Sequence, residues 1–137
     1  MNTTKHVTEV DAKVKLSLLW VFVLFNMAYA DILSLMDATS DIRKRLDGGI
    51  LLSSNELLMG ALLMETAIAM ILLSRYLPRK INKWVNVVAV IINTFAVVTG
   101  GHGVYYIFFA TIEVLAMLYI AWISWSWKDA ESIRLKI

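Results

Sequence analysis

YYIFFATIEVLAMLYIAWISW, residues 105–125, is long and apolar enough to cross a bilayer core, and it carries one carboxylate, Glu113. Three more stretches have the same character. LSLLWVFVLFNMAYADILSLM fills residues 16–36 and includes Asn26 and Asp31. Residues 54–77 carry Glu65 near their middle, and the shorter run 84–100 carries Asn93. None alternates polar and apolar residues as a strand would, and all have helical length. Four such helices with short connections predict an all-α fold, a four-transmembrane-helix antiparallel bundle. The whole chain, 1–137, reads as one integral membrane domain with tails at 1–15 and 126–137.

Composition supports this reading. Apolar residues make up 59% of 137 residues and charged residues 18%, with a mean hydropathy of +0.68. Soluble domains hold about 45–50% and about 25% of these classes, so a water-soluble core of this size could not enclose the excess. The absence of Cys excludes disulfides, thiolate metal sites and a cysteine nucleophile. A formal net charge of +2 gives no footprint for nucleic acid. No phosphate loop, dinucleotide fingerprint, zinc-protease or serine-hydrolase motif is present, so the sequence calls for no cofactor and no metal.

Positive charge predicts direction. Lys5, Lys13 and Lys15 precede the first span; Arg75, Arg79, Lys80 and Lys83 lie between the second and third; Lys128, Arg134 and Lys136 follow the fourth. Four spans put all three regions on one side, leaving Arg43, Lys44 and Arg45 on the other. Both termini are therefore expected in the cytoplasm of a bacterial inner membrane. Trp84, Trp122, Trp125 and Trp127 would then mark the cytoplasmic interface, and Tyr105 and Tyr106 the outer one. Ala28-Tyr29-Ala30 imitates a signal-peptide cleavage site, but the apolar run continues through ILSLM, which predicts an uncleaved helix.

The connections carry local signals. Ser53-x-x-Glu56 is a capping box for the second span, and Pro78 ends that span. DATSDIRKRLD, 37–47, predicts a short interfacial helix or ordered loop, closed by Gly48-Gly49. Gly100-Gly101-His102-Gly103 reads as a tight turn.

The candidate site is a set of polar groups within apolar text. Asp31, Glu65 and Glu113 are carboxylates at membrane depth with no Lys or Arg in the central part of any span. Such groups are costly in a bilayer and mark proton relays, cation sites or ligand contacts. Ala61 and Ala69 flank Glu65, and Ala110 and Ala116 flank Glu113, at helical spacing. Small neighbours permit close helix approach, so both glutamates are expected to face one interior space. Asn26 and Asn93 would orient them, with Asp31 and His102 at the outer entrance and in reach of each other. Asn86, Asn93 and Gly100 recur every seven residues and form one stripe.

WVFVLFNMAYADILSLM, LLMGALLMETAIAMILLSR and GHGVYYIFFATIEVLAML together resemble the small bacterial four-helix membrane proteins of the DoxX-like group and related families of unknown function. The resemblance covers about residues 13–127. It implies a four-helix inner-membrane bundle and brings no catalytic residues. The leading functional reading is a non-enzymatic protein that binds, and could transport, a proton, a cation or a small molecule at Asn26, Asp31, Glu65, Asn93, His102 and Glu113. A homodimer would supply a wider path than one narrow bundle, and the lipid bilayer is the remaining partner. Two rivals stand beside it: a membrane enzyme using Glu65 and Glu113 on a lipid, quinone or isoprenoid, and a structural or accessory subunit.

Overall fold

A computed structural model describes residues 3–127, with side chains from Val10 onward. The elements are α1 (Thr3–Met36), α2 (Asp41–Asp47), α3 (Ser54–Tyr76), α4 (Arg79–Thr99) and α5 (Val104–Ser126), with no strand among the described residues. Four of them, α1, α3, α4 and α5, contain segments long and apolar enough to span a membrane. They form an up-and-down ring in which α1 packs on α3 and α5, and α4 packs on the same two. The α1–α4 and α3–α5 pairs thus lie across the diagonals.

The expected spans agree with α3 and α5 to within a residue. Two boundaries move. The N-terminal tail expected at 1–15 is helical from Thr3, so α1 runs about 51 Å at 1.5 Å per residue, beyond a core of about 30 Å. Hydropathy measures the bilayer-crossing part, whereas residues 3–15 contain no Pro or Gly to stop the helix. Likewise α4 starts at Arg79 rather than 84, because Pro78, with φ −66° and ψ 151°, ends α3 and leaves good helix formers to begin at once. Lys128, Arg134 and Lys136 lie outside the described residues, and the side chain of Lys5 does too.

The capping box at Ser53 closes the start of α3 as the sequence predicts. Ser53 Oγ accepts from Glu56 N–H at 3.3 Å, and Ser53 N–H donates to Glu56 Oε2 at 2.8 Å. Ser40 caps α2 by accepting from Arg43 N–H at 3.2 Å. Arg45 grips Glu56 with two hydrogen bonds, 2.8 and 3.2 Å, and thereby holds α2 to the start of α3.

The core runs down the bundle axis through Leu16, Trp20 and Val23 of α1, Ala67 and Met70 of α3, Val90 of α4, and Met117 and Ile120 of α5. Large apolar side chains such as Phe25, Phe95 and Leu118 face outward, as lipid-facing positions require. At the end opposite α2, Trp84 and Trp125 are exposed with ring centroids 6.1 Å apart, and Lys83 Nζ sits 3.3 Å from the Trp125 ring centroid. Trp127, at the same end, is buried. Tyr105 and Tyr106 are half-buried and hydrogen-bonded within the bundle: Tyr105 Oη donates to Ser34 Oγ at 3.0 Å, and Tyr106 Oη to the Val97 carbonyl at 2.9 Å.

Candidate functional site

Glu113 sits about 14 Å along α5 from Val104, counted at 1.5 Å per residue. It is only 2% exposed, and its Oε1 has no hydrogen-bond partner among the described residues. Leaving a buried acceptor unpaired costs about 1–3 kcal/mol or more, so the group invites a partner. It lines a pocket of about 170 Å³ to which all four long helices contribute: Ala30 and Asp31 from α1, Gly60 and Met64 from α3, Ala96 and Val97 from α4, Tyr106 and Glu113 from α5.

A second pocket, about 700 Å³, opens at the α2 end of the bundle. Asp31, Gly60, Met64, Gly100 and Tyr106 line both, so they form the neck between a wide vestibule and the narrow inner pocket. His102, Asp41, Lys44 and Glu56 line the vestibule. Beyond Glu113, toward the other end, buried Met117, Ile120 and Trp20 fill the interior.

Glycine makes this neck. Gly60 has nothing within 4 Å of where a Cβ would sit, so its missing side chain is open space. At Gly100 a Cβ would collide with the Tyr106 hydroxyl, and at Gly101 it would come within 2.9 Å of the Tyr106 ring. The expected tight turn is therefore a cradle for Tyr106. Gly103, at φ +128°, supplies the backbone conformation that starts α5.

The six sequence-predicted residues separate. Asp31 and Glu113 line one pocket. His102 joins Asp31 in the vestibule, but no hydrogen bond or ion pair joins the two among the described residues. Asn93 is fully buried, gives its Nδ2 to the Ala89 carbonyl at 2.9 Å and leaves Oδ1 unpaired. Asn26 is half-buried and bonds its own helix, Nδ2 to the Phe22 carbonyl at 2.8 Å. Glu65 corrects the expectation most plainly. It is exposed on α3 and lines neither pocket, so it does not share an interior space with Glu113. The flanking alanines reported a surface suited to close approach, and that surface faces outward. The core face of α3 carries Ala67, Met70 and Ser74 instead.

A model of a protein family matches residues 6–133. The chain belongs to DUF6326, a family of unknown function. The match includes the whole Asp31–Glu113 pocket, so pocket and bundle belong to one DUF6326 unit; it carries no DoxX-like affiliation. Comparison with curated proteins and with solved structures finds no match. The chain is thus a multi-pass membrane protein of the DUF6326 family with one buried glutamate among the described residues.

Sequence reading missed a second polar group within this DUF6326 bundle. Trp20 Nε1 donates to Asn86 Oδ1 at 2.7 Å, and Asn82 Nδ2 donates to the Ser74 carbonyl at 2.7 Å. Asn86 Nδ2 donates in turn to the Asn82 carbonyl at 2.8 Å and to Asn82 Oδ1. Ser17 Oγ donates to the Ile71 carbonyl at 2.9 Å and accepts from Arg75 Nε at 3.3 Å. Asn86 was visible as a stripe residue. Asn82 extends that stripe by one turn, but it falls before residue 84 and so read as connection rather than helix. Trp20 read as a plain apolar residue because hydropathy ignores its N–H.

Proposed function

We propose that this DUF6326 protein binds a proton or a small cation in the pocket between Asp31 and Glu113, entered from the α2 end. One observation carries the reading: Glu113 is buried with a free carboxylate oxygen, in a pocket it shares with a second carboxylate. Glu113 is buried while Asp31 is exposed at the side of the same pocket, and a buried carboxylate beside a second one favours a proton or a positive charge between them. The volume of about 170 Å³ is close to that of engineered apolar cavities that take up benzene, so an alkylammonium ion of a few carbons is an apt occupant. Packing of Met117, Ile120 and Trp20 beyond Glu113 favours binding from one side over a continuous path. Neither Asn26 nor Glu65 belongs to this reading, while His102 and Lys44 stand at its entrance.

The test is calorimetry on the protein in lipid nanodiscs, with methylammonium, tetramethylammonium and the neutral tert-butanol as probes. Binding of at least one cation, weakened at least about tenfold by Glu113→Gln and by Asp31→Asn, is the expected result; such a loss is about 1.4 kcal/mol. Glu65→Gln should leave it unchanged. Equal binding of tert-butanol, or cation binding that survives both pocket variants, would overturn the proposal.

A further inference from the structure

Glu65 lies about 17 Å along α3 from Ser54, half-way through a helix of about 35 Å at 1.5 Å per residue. It is exposed there. At about 100° per residue it points opposite the core face of Ala67, Met70 and Ser74. A carboxyl group turned to hydrocarbon at mid-depth is among the costliest placements a bilayer allows. Its neighbours on that face have a pattern. Leu58, Ala61, Glu65, Ile68 and Leu72 follow one another at alternating spacings of three and four residues. That is the seam of a helical heptad, with one polar group at its central position. Leu58, Ile68 and Leu72 are exposed, and α3 has the smallest buried share of the four spans, 17% against 28% and 33%.

We propose that this face of α3 is the contact between two copies of the chain, with Glu65 of each copy facing its twin. The membrane supplies the geometry. Copies inserted in the same direction can form a closed pair only about a twofold axis along the membrane normal. That axis sets the two α3 helices parallel and in register, with both Glu65 side chains at one depth. A neutral carboxyl group has one O–H donor and a carbonyl acceptor, so it is its own complement, and two of them close a reciprocal pair of hydrogen bonds. A single polar residue within an otherwise apolar seam fixes register and copy number. Ala61 lets the backbones approach beside it. Ala61 also lines the wide pocket at the α2 end, so the pairing would border its mouth, whereas Glu65 lines neither pocket.

The native chain contains no Cys, so single-cysteine variants report without background. Purified Leu58→Cys, Ile68→Cys and Leu72→Cys proteins in lipid vesicles should form disulfide-linked dimers on mild oxidation. Phe95→Cys, equally outward on α4, should not. In mixed micelles, energy transfer between labelled copies should show Glu65→Leu raising the dimer dissociation constant about tenfold, with Glu65→Gln within about threefold of the parent. Helix content by circular dichroism checks that each variant is folded. A chain monomeric at every protein-to-detergent ratio, cross-linking as efficient at Phe95→Cys, or an unchanged dimer in Glu65→Leu would each overturn the proposal.

Discussion

The indole of Trp20 and the amide of Asn86 join α1 and α4, one of the two diagonal pairs of the bundle. Their hydrogen bond, 2.7 Å between Nε1 and Oδ1, spans 66 positions in sequence and crosses the bundle from α1 to α4. Only a long side chain can do this, because α3 and α5 separate the two backbones. The bond is buried, and among the described residues Asn86 Oδ1 has just one other donor, Ser74 Oγ at 3.4 Å. It adds one directional contact to the apolar packing of Leu16, Trp20 and Val23 that sets the rotation of α1 about its own axis.

Trp20→Phe should lower stability by about 1–3 kcal/mol, the cost of a buried acceptor deprived of its partner. Asn86→Ala should do at least as much, since it also strips Trp20 and Asn82 of contacts. Chemical unfolding in detergent, run as a double-mutant cycle, should return a coupling of about 1 kcal/mol between the two sites. Additive effects would mean that the diagonal bond contributes nothing of its own.

Gly60 separates folding from access to the pocket. A methyl group there meets nothing within 4 Å, and alanine improves helix propensity by up to about 1 kcal/mol. Gly60→Ala should therefore leave stability equal or higher. Gly60→Leu should keep the fold yet block the neck, abolishing cation binding measured by calorimetry while thermal stability stays near the parent value. Retained binding in Gly60→Leu would show that the route to Glu113 does not pass this residue.

The α1–α2 turn has a pH dependence of calculable sign. Asp37 accepts from the Thr39 backbone N–H at 2.9 Å and from its hydroxyl at 2.8 Å, and these bonds hold its carboxyl below the ordinary 3.8. A depressed value in the folded state means that the stabilisation is complete above the unfolded value and is lost as pH falls through the folded one. Carboxyl-detected NMR should give Asp37 a midpoint below 3.8, and Thr39→Val should move it upward. A midpoint at or above 3.8 in the parent would contradict these hydrogen bonds.

Orientation follows from charge. Reporters fused before Met1 and after Ile137 should both stay in the cytoplasm, because basic residues concentrate at the ends of the chain and in the facing ends of α3 and α4. Activity of a periplasmic reporter at either end would contradict that direction, and opposite sides for the two ends would contradict an even number of spans.

The sequence by itself determined the bundle. Four apolar stretches, the Ser53 capping box, Pro78 and the glycines after α2 and α4 specify helices, ends and turns, because each signal is local and acts through neighbours a few residues away. It also identified Glu113 and Asp31 as groups out of place in hydrocarbon. Which carboxylates meet was another matter. Glu65 and Glu113 have similar depths and similar alanine flanks, yet one faces outward and the other is buried. Depth along a helix is counted from sequence, whereas rotation about the helix axis is set by the sum of contacts with every neighbour. On α3 those contacts are Ala67, Met70 and Ser74 packing inward, with Asn82 bonding the Ser74 carbonyl. On α5 they are Ala116, Met117 and Ile120. Tertiary packing chose these faces because it buries the positions that fit together best, and a single polar residue per helix does not outweigh them.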